Sequence, residues 1–398
     1  MTSFFLLNRK YLALGALVAI LAAGCLKKPG PRSGEFQFKV IDSQTREPIS
    51  GVAVSIGDYH LQTDRTGLVR IADLPPGDYA MRLERQWYPT ADFTVHYVGR
   101  PVEDIYLTSN IRLQGAILYS GDRSGNRDIY QLDLASRSVT QLVDYPSHEG
   151  EPVPVSSTAM IFTSNANSEN EEDLYLYQAG SPAQALCSSG KTDNQPTVDQ
   201  DGKILIFHST RNTTGRIYQY SLSTSVPTRS AVSGPVELTE GYEPAINPSG
   251  TWVAYINSNQ LWVAKLTGSG LSDKRALPAK LDPGNPCWSP DGEYLAFDAR
   301  NEPKGPRYIF VIRMEDHAVQ QVTADFGSAK MSDHRHPGWC KDEAGDFWLF
   351  FSTAIIYDTR IDIYGVKFIP GKTADTYDWL MLSGGSGSKT DPTWRSEP

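Results

Sequence analysis

The sequence predicts an all-β chain, a small β-sandwich followed by a six-bladed β-propeller with a shared closing blade. Three observations carry this reading. A proline-led pattern recurs six times over roughly the last 290 residues, at Pro152, Pro196, Pro244, Pro286, Pro337 and Pro392. A short strand bearing Tyr or Trp recurs in step with it. Before both lies a stretch of alternating strands, punctuated about every ten residues by Gly, Pro and Asp turns.

The elements follow in chain order. Arg9 and Lys10 precede an uninterrupted small and apolar run, Leu12–Ala23. A basic start, a short apolar core and small residues before a cleavage point describe a secretory signal peptide over 1–24, too short to span a bilayer as a helix. Leu21-Ala22-Ala23-Gly24-Cys25 resembles the bacterial lipobox. That resemblance implies cleavage before Cys25 and lipidation there, although Ala22 replaces the usual Leu or Val. Several acyl chains hold a soluble domain firmly, at roughly 0.8 kcal/mol per buried methylene. Leu26 stands where Asp would act as an inner-membrane retention signal in some Gram-negative bacteria, so the expected site is the outer membrane, facing the periplasm or the cell surface. Residues 25–34 then form a Pro/Gly/basic tether.

From Glu35 the composition turns to strands: Phe36–Val40, Pro48–Ile56, Thr63–Ile71 and the stretch after Leu74-Pro75-Pro76-Gly77-Asp78-Tyr79. This spacing predicts a β-sandwich over 35–108. Gly67 and Gly77 read as turn formers. The order Pro48-Ile49 … Gly51-Val52 … Thr63-Asp64 … Gly67 … Leu74-Pro75-Pro76-Gly77-Asp78-Tyr79 resembles carboxypeptidase regulatory-like, transthyretin-related domains, which are mostly structural or adhesive appendages.

Residues 110–398 carry the propeller. The steps between the six prolines are 44, 48, 42, 51 and 55 residues. A period of about 40–50 residues filled with short strands signals one four-stranded sheet per repeat. Asp173–Leu176, Arg216–Gln219, Gln260–Val263, Tyr308–Val311 and Ile361–Tyr364 each follow a proline-led strand, whereas Asp128–Gln131 precedes the first. The last motif, Asp391-Pro392-Thr393-Trp394, has no such follower. The count closes if the C-terminal segment supplies the innermost strand of the blade beginning near Ala116–Tyr119, which removes an open sheet edge. Asp-Gly and Ser-Gly pairs make the hairpins, and the Trp residues pack between blades.

The stretch Pro286-Cys287-Trp288-Ser289-Pro290-Asp291-Gly292-Glu293-Tyr294-Leu295-Ala296-Phe297 resembles the repeat of TolB-like six-bladed propellers. The same repeat occurs in the propeller of prolyl oligopeptidase-type peptidases. The repeat from Pro152 departs most, with Val153-Pro154-Val155-Ser156-Ser157 in place of the turn consensus. The likeness speaks for fold and hardly at all for activity.

Composition narrows the function. The formal net charge is −9 and becomes more negative once Arg9 and Lys10 are removed. An acidic chain argues against nucleic acid and against a broad footprint on anionic lipid. Of four cysteines, three lie beyond Cys25 (Cys187, Cys287 and Cys340), so at least one thiol is free or pairs outside the chain. Cys287 and Cys340 fall on adjacent innermost strands, but a disulfide there is not expected.

Propellers bind at the mouths of their channel, where equivalent positions converge. The residues before the six prolines are Glu151, Gln195, Glu243, Asn285, His336 and Asp391, all polar and three of them acidic. As a ring around one mouth they suit a cationic group, a peptide amine or a metal; alternatively they satisfy strand ends and neighbouring loops. Within Ser332-Asp333-His334-Arg335-His336-Pro337, two histidines at i,i+2 on an extended strand would face the same way, with Asp333 to orient them. Asp333, His334 and His336 are thus weak metal candidates, since no third or fourth ligand is evident. Propeller lyases acting on pectic fragments give that idea a family-level precedent. His208 reads as a partly buried strand residue.

No catalytic residue and no cofactor is expected. There is no Gly-x-Ser-x-Gly elbow, for Gly384-Gly385-Ser386-Gly387-Ser388 reads as a blade-closing loop. The chain as given ends soon after the last motif, so the hydrolase domain of prolyl oligopeptidases is not expected either. The expectation is a membrane-anchored envelope lipoprotein acting as a non-enzymatic scaffold for an envelope protein or peptide. The alternative is a metal-dependent carbohydrate-active enzyme, a lyase or hydrolase, working at the channel mouth.

Overall fold

The computed structural model describes residues 35–212, 214–222, 234–268, 270–324, 333–354, 360–373 and 378–396. The expected signal peptide, Cys25 and the expected tether lie outside the described residues, as does Ser332. Strands dominate, and the chain divides into two compact units, the second being Arg112–Pro398. Among the described residues no helix is long and apolar enough to cross a membrane.

In the first unit, Phe36–Asp42 pairs antiparallel with Leu68–Ile71 and parallel with Ile105–Leu107. A second sheet runs in the order Tyr59–Gln62, Ala53–Ile56, Gly77–Arg85, Tyr88–Tyr97. The alternation read from Phe36–Val40 holds: Phe36, Phe38 and Val40 are buried and share one core with Val54, Ile56, Met81, Leu83 and Tyr97 of the other sheet. Gly67 has φ +69°, and a Cβ there would lie 2.6 Å from the Val40 carbonyl oxygen, so a turn and a close approach both require glycine. Gly77 differs from expectation. It opens a strand without left-handed backbone, and the turn before it falls on Ala72 and Asp73, with Asp73 at φ 57°.

The second unit is a six-bladed propeller. Its blades, innermost strand first, are Lys389–Arg395, Ala116–Gly121, Asp128–Asp133, Val139–Val143; then Glu149–Pro154, Ala159–Ser164, Asp173–Gln178, Gln184–Cys187; then Asp193–Val198, Ile204–Ser209, Arg216–Ser221, Val236–Glu240. The fourth comprises Tyr242–Ile246, Trp252–Asn257, Gln260–Thr267 and Gly270–Ala276, and the fifth Leu281–Trp288, Tyr294–Arg300, Arg307–Arg313 and Val319–Gln321. The sixth comprises His334–Lys341, Phe347–Ala354, Ile361–Lys367 and Leu380–Met381. The first blade is shared: the C-terminal strand pairs antiparallel with Ala116–Gly121, Thr393 opposite Leu118 and Trp394 opposite Ile117. Each innermost strand touches the next around a closed circle.

Local chemistry explains the repeat. Three residues after the proline, Asp199, Asn247 and Ser289 accept from amides that open the following strand: Ile204 N to Asp199 Oδ1, Trp252 N to Asn247 Oδ1, and Tyr294 N to Ser289 Oγ, at 2.8–2.9 Å. The divergent turn after Pro152 still closes, with Val155 N donating to Ala159 O at 3.0 Å. The recurrent aromatic strand is the third of each blade, and its ring faces a second-strand aromatic in every blade: Tyr119–Tyr130, Phe162–Tyr175, Phe207–Tyr218, Tyr255–Trp262, Phe297–Phe310 and Phe351–Tyr364. Four of these pairs stack at 5.6–5.9 Å between centroids. Between blades, Trp288 Nε1 donates to Ala245 O (3.0 Å) and Trp339 Nε1 to Cys287 O (3.1 Å), which staples one motif to the preceding one.

Cys187, Cys287 and Cys340 are free thiols. Burial pushes the Cys187 thiol up to about 11 and that of Cys287 up to about 12.

Candidate functional site: the ring at the channel mouth

The six residues before the prolines share one conformation. Their φ angles are 47° (Glu151), 54° (Gln195), 49° (Glu243), 49° (Asn285), 51° (His336) and 52° (Asp391), all in the left-handed region. Left-handed backbone in a residue with a side chain costs roughly 1–2 kcal/mol, so each is held by its surroundings. The cause is a bulge in every innermost strand: the ladder breaks between Gly150 and Val153, Asn194 and Thr197, Tyr242 and Ala245, Gly284 and Cys287, Arg335 and Gly338, and Thr390 and Thr393. Proline has no N–H for the ladder, and the bulge accommodates it.

The bulges leave ring amides without ladder partners, and the neighbouring ring side chains supply them. Gln195 N donates to Glu151 Oε2 at 2.6 Å, Glu243 N to Gln195 Oε1 at 2.7 Å, and Asn285 N to Glu243 Oε2 at 2.6 Å. The next link uses a residue that the motif did not mark. Buried Asp298 accepts from Asn285 Nδ2 (2.7 Å) and from His336 N (3.2 Å) through Oδ2. His336 Nε2 then lies 3.4 Å from Asp391 Oδ1, and Asp391 Oδ2 accepts from Ser120 Oγ at 3.0 Å. The relay passes from blade to blade. It ends where Asp391 and Glu151 meet as like charges.

Electrostatics follow from the enclosure. Burial first, and Asp391 second, raise the Glu151 carboxyl to about 8, against a bond from Gln195 N that opposes the shift. Glu243 is also raised, by burial and by Asp298, while Asn285 N, His336 and Arg307 oppose it. The rim therefore carries less negative charge at neutral pH than three acids imply. Arg307 reaches both Asp298 and Asp282, the latter at 2.6 Å, and anchors the acids of the fifth blade. At the same end of that blade boundary stand Tyr242 and Leu281, each the first residue of an innermost strand, 36% and 48% exposed.

The histidine pair does not converge. The bulge between Arg335 and Gly338, with His336 at φ 51°, cancels the i,i+2 alternation that would have aligned them. His334 is wholly buried beside Trp379 (4.9 Å), Phe351 (5.3 Å) and Tyr308 (6.0 Å), and burial lowers it to about 3, which keeps the ring neutral. Asp333 is taken by Arg335 Nη2 (2.9 Å) and by the Arg307 amide (2.9 Å). Asp333, His334 and His336 thus have three different surroundings. Among the described residues no group of three or more His, Cys, Asp or Glu is placed to hold a metal ion. His208 is half-buried, with Nδ1 2.8 Å from Asn194 Oδ1, and burial lowers its pKa.

The relay sets an expected cost. Glu243→Ala removes the acceptor for the part-buried Asn285 amide and should destabilise the propeller by about 1–3 kcal/mol, measured by urea unfolding. Glu243→Gln, which keeps an acceptor oxygen, should recover most of it.

Comparison with known proteins bears on the fold. The chain is 21% identical over 258 residues to the Tol-Pal system protein TolB of Francisella tularensis subsp. holarctica (strain OSU18), covering 62% of this chain and 57% of that protein. For the same-named protein of subsp. mediasiatica (strain FSC147) the figures are 22% over 259 residues, 62% and 57%. The chain thus spans little more than half the length of the curated relatives it matches. In the structure of TolB from Acinetobacter baumannii, 14% identical, the match covers 81% of this chain and 80% of that one, with a TM-score of 0.54. The propeller fold is TolB-like. No family model matches the chain. The TolB-like fold presents the six ring residues together, and the activity must be argued from them.

Proposed function

We propose that this chain is a lipid-anchored envelope protein whose propeller mouth holds another envelope protein or a peptide segment, without catalysing a reaction. The observation that carries the reading is the ring itself. Six non-glycine residues, one in each innermost strand, are kept in left-handed backbone, and their side chains are bonded from blade to blade. Such a rim is preorganised: its acceptors are fixed before any partner arrives, so little ordering cost is left for binding. The exposed Tyr242 and Leu281 add apolar surface next to acidic Glu243 and Asp282, a mixture suited to a peptide with a cationic and an apolar side chain. Likeness to a Tol-Pal system protein supports an envelope setting.

In the same reading Cys25 is the lipid attachment point, on the outer membrane and facing the periplasm or the cell surface. The sandwich, which resembles carboxypeptidase regulatory-like domains, serves as a stalk or a second contact. The test is affinity capture from detergent-solubilised envelope with the lipidated chain and with a Glu151→Gln, Glu243→Gln, Asp391→Asn variant of matched melting temperature. A defined protein bound by the wild type and lost from the variant is the expected result. Equal recovery by both would move the docking surface away from the mouth, and no recovery by either would sink the docking reading.

A further inference from the structure

The boundaries between blades repeat one arrangement near the ring. The residue two before the ring position bonds back to the preceding blade: Glu149 N to Arg127 O (2.8 Å), Asp193 N to Glu172 O (2.7 Å) and Gly241 N to Gly215 O (3.3 Å). Acids gather at these seams, and elsewhere a cation answers them. Asp362 has the Lys389 ammonium at 2.7 Å, and Asp193 has Arg211 at 2.7 Å. The seam between the first and second blades is different. Asp128 opens the third strand of the first blade, Glu149 opens the innermost strand of the second, and both are 0% exposed.

No cation among the described residues pairs with either carboxyl. Asp128 Oδ2 accepts from Ser124 Oγ and from Gln141 Nε2 (3.0 Å), and Glu149 Oε1 accepts from Ser147 Oγ (2.5 Å) and Ser164 Oγ (3.0 Å). Glu149 Oε2 is buried with no hydrogen-bond partner, and the bond from Glu149 N to Arg127 O, the residue before Asp128, sets the two acids across the same seam. Two ionised carboxylates at one seam and out of water repel strongly, so a neutralising charge is required where Lys389 stands in the equivalent seam.

We propose that Asp128 and Glu149 share one proton across this seam, and that its loss loosens the contact between the first and second blades. Glu149 Oε2–H is the donor and Asp128 the acceptor. The other titratable or charged groups nearby are His148 and Glu151 on the same segment, Arg127 in the loop of the first blade, and Tyr175 and Asp173 on the third strand of the second. None of them occupies the gap at Glu149 Oε2. Burial, and secondarily Asp128, raise Glu149 from 4.5 to about 7. A carboxyl raised in the folded state contributes stability that is full below its unfolded value and is lost as pH rises through the folded one. The seam is therefore firm near pH 5 and weakened above pH 7.

The test is site-specific carboxyl carbon NMR on the chelator-treated protein, together with hydrogen exchange of the Glu149 amide, corrected for intrinsic rate, between pH 5 and 8.5. The expected result is one carboxyl of the pair titrating near neutrality and protection of that amide falling by up to about tenfold per unit of raised pKa. Glu149→Gln, which keeps a neutral N–H donor toward Asp128, should hold protection constant across the range. Glu151→Gln should leave the Glu149 transition in place, which separates the seam from the mouth. Both carboxyls titrating below pH 5, or an unchanged slope in Glu149→Gln, would overturn the shared proton. Should Glu149→Gln fail to fold, the carboxyl titration of the wild type decides alone.

Discussion

Lys389→Met is expected to lower the unfolding free energy by about 3 kcal/mol, near the low end of the roughly 3–5 kcal/mol for breaking a buried ion pair. Lys389 Nζ sits 2.7 Å from Asp362 Oδ1, with the two side chains 3% and 6% exposed. It also donates to the carbonyls of Gly387 (2.8 Å) and Gly385 (3.2 Å). The substitution leaves Asp362 charged and buried, while Arg360 Nε at 2.8 Å retains part of the neutralisation. The location makes the effect consequential, because Lys389 opens the strand that closes the circle into the first blade. A second substitution separates desolvation from closure: Lys389→Met with Asp362→Leu should regain most of the loss, since an apolar pair no longer carries an unpaired charge. Urea unfolding of the two variants is the measurement. A loss under 1 kcal/mol in the single variant would mean that the ion pair has no part in closure.

Trp339→Ala should cost roughly 3–5 kcal/mol, the range for emptying a buried Phe or Trp site. Its side chain is 2% exposed and packs on Phe368 (5.1 Å), Phe347 (5.9 Å) and Tyr294 (6.2 Å), bridging the fifth and sixth blades. Its Nε1 bond to Cys287 O at 3.1 Å is lost as well. Trp339→Phe keeps most of the packing and drops that bond, so its expected cost is smaller, about 1–2 kcal/mol. Guanidinium unfolding with an unchanged m-value would read both as losses of stability alone. Equal costs for Ala and Phe would show that the hydrogen bond, and not the packing, holds the two blades.

Much of the architecture was legible. Pro152 to Pro392 gave the blade count because each proline demands a bulge in an innermost strand, and the recurrent Tyr, Trp and Phe mark third strands because they face second-strand rings. The ring was named position by position from the residue before each proline. What its side chains do was harder to read. The two-residue alternation that joined His334 to His336 failed at the bulge, where His336 turns to left-handed backbone and His334 stays in the blade core. Asp298 was overlooked although it left a signal, an acid set between the apolar Leu295-Ala296-Phe297 and Ala299. Asp128 and Glu149 left none, since each is an ordinary acid at the start of a short strand.

The sequence by itself determined the periodicity: which segments are strands, where hairpins turn, and how the two ends meet in one sheet. These follow from local causes, namely the missing N–H of proline, the turn chemistry of Asp, Asn, Ser and Gly, and the two-residue alternation of strands. Only the tertiary structure decided which charges face each other across a seam. Lys389 meets Asp362, Asp298 joins Asn285 to His336, and Asp128 and Glu149 are buried at one seam with no cation paired to either among the described residues. Those pairings join residues on separate strands or in different blades, and a repeat fixes the geometry of a seam without fixing the charge placed in it.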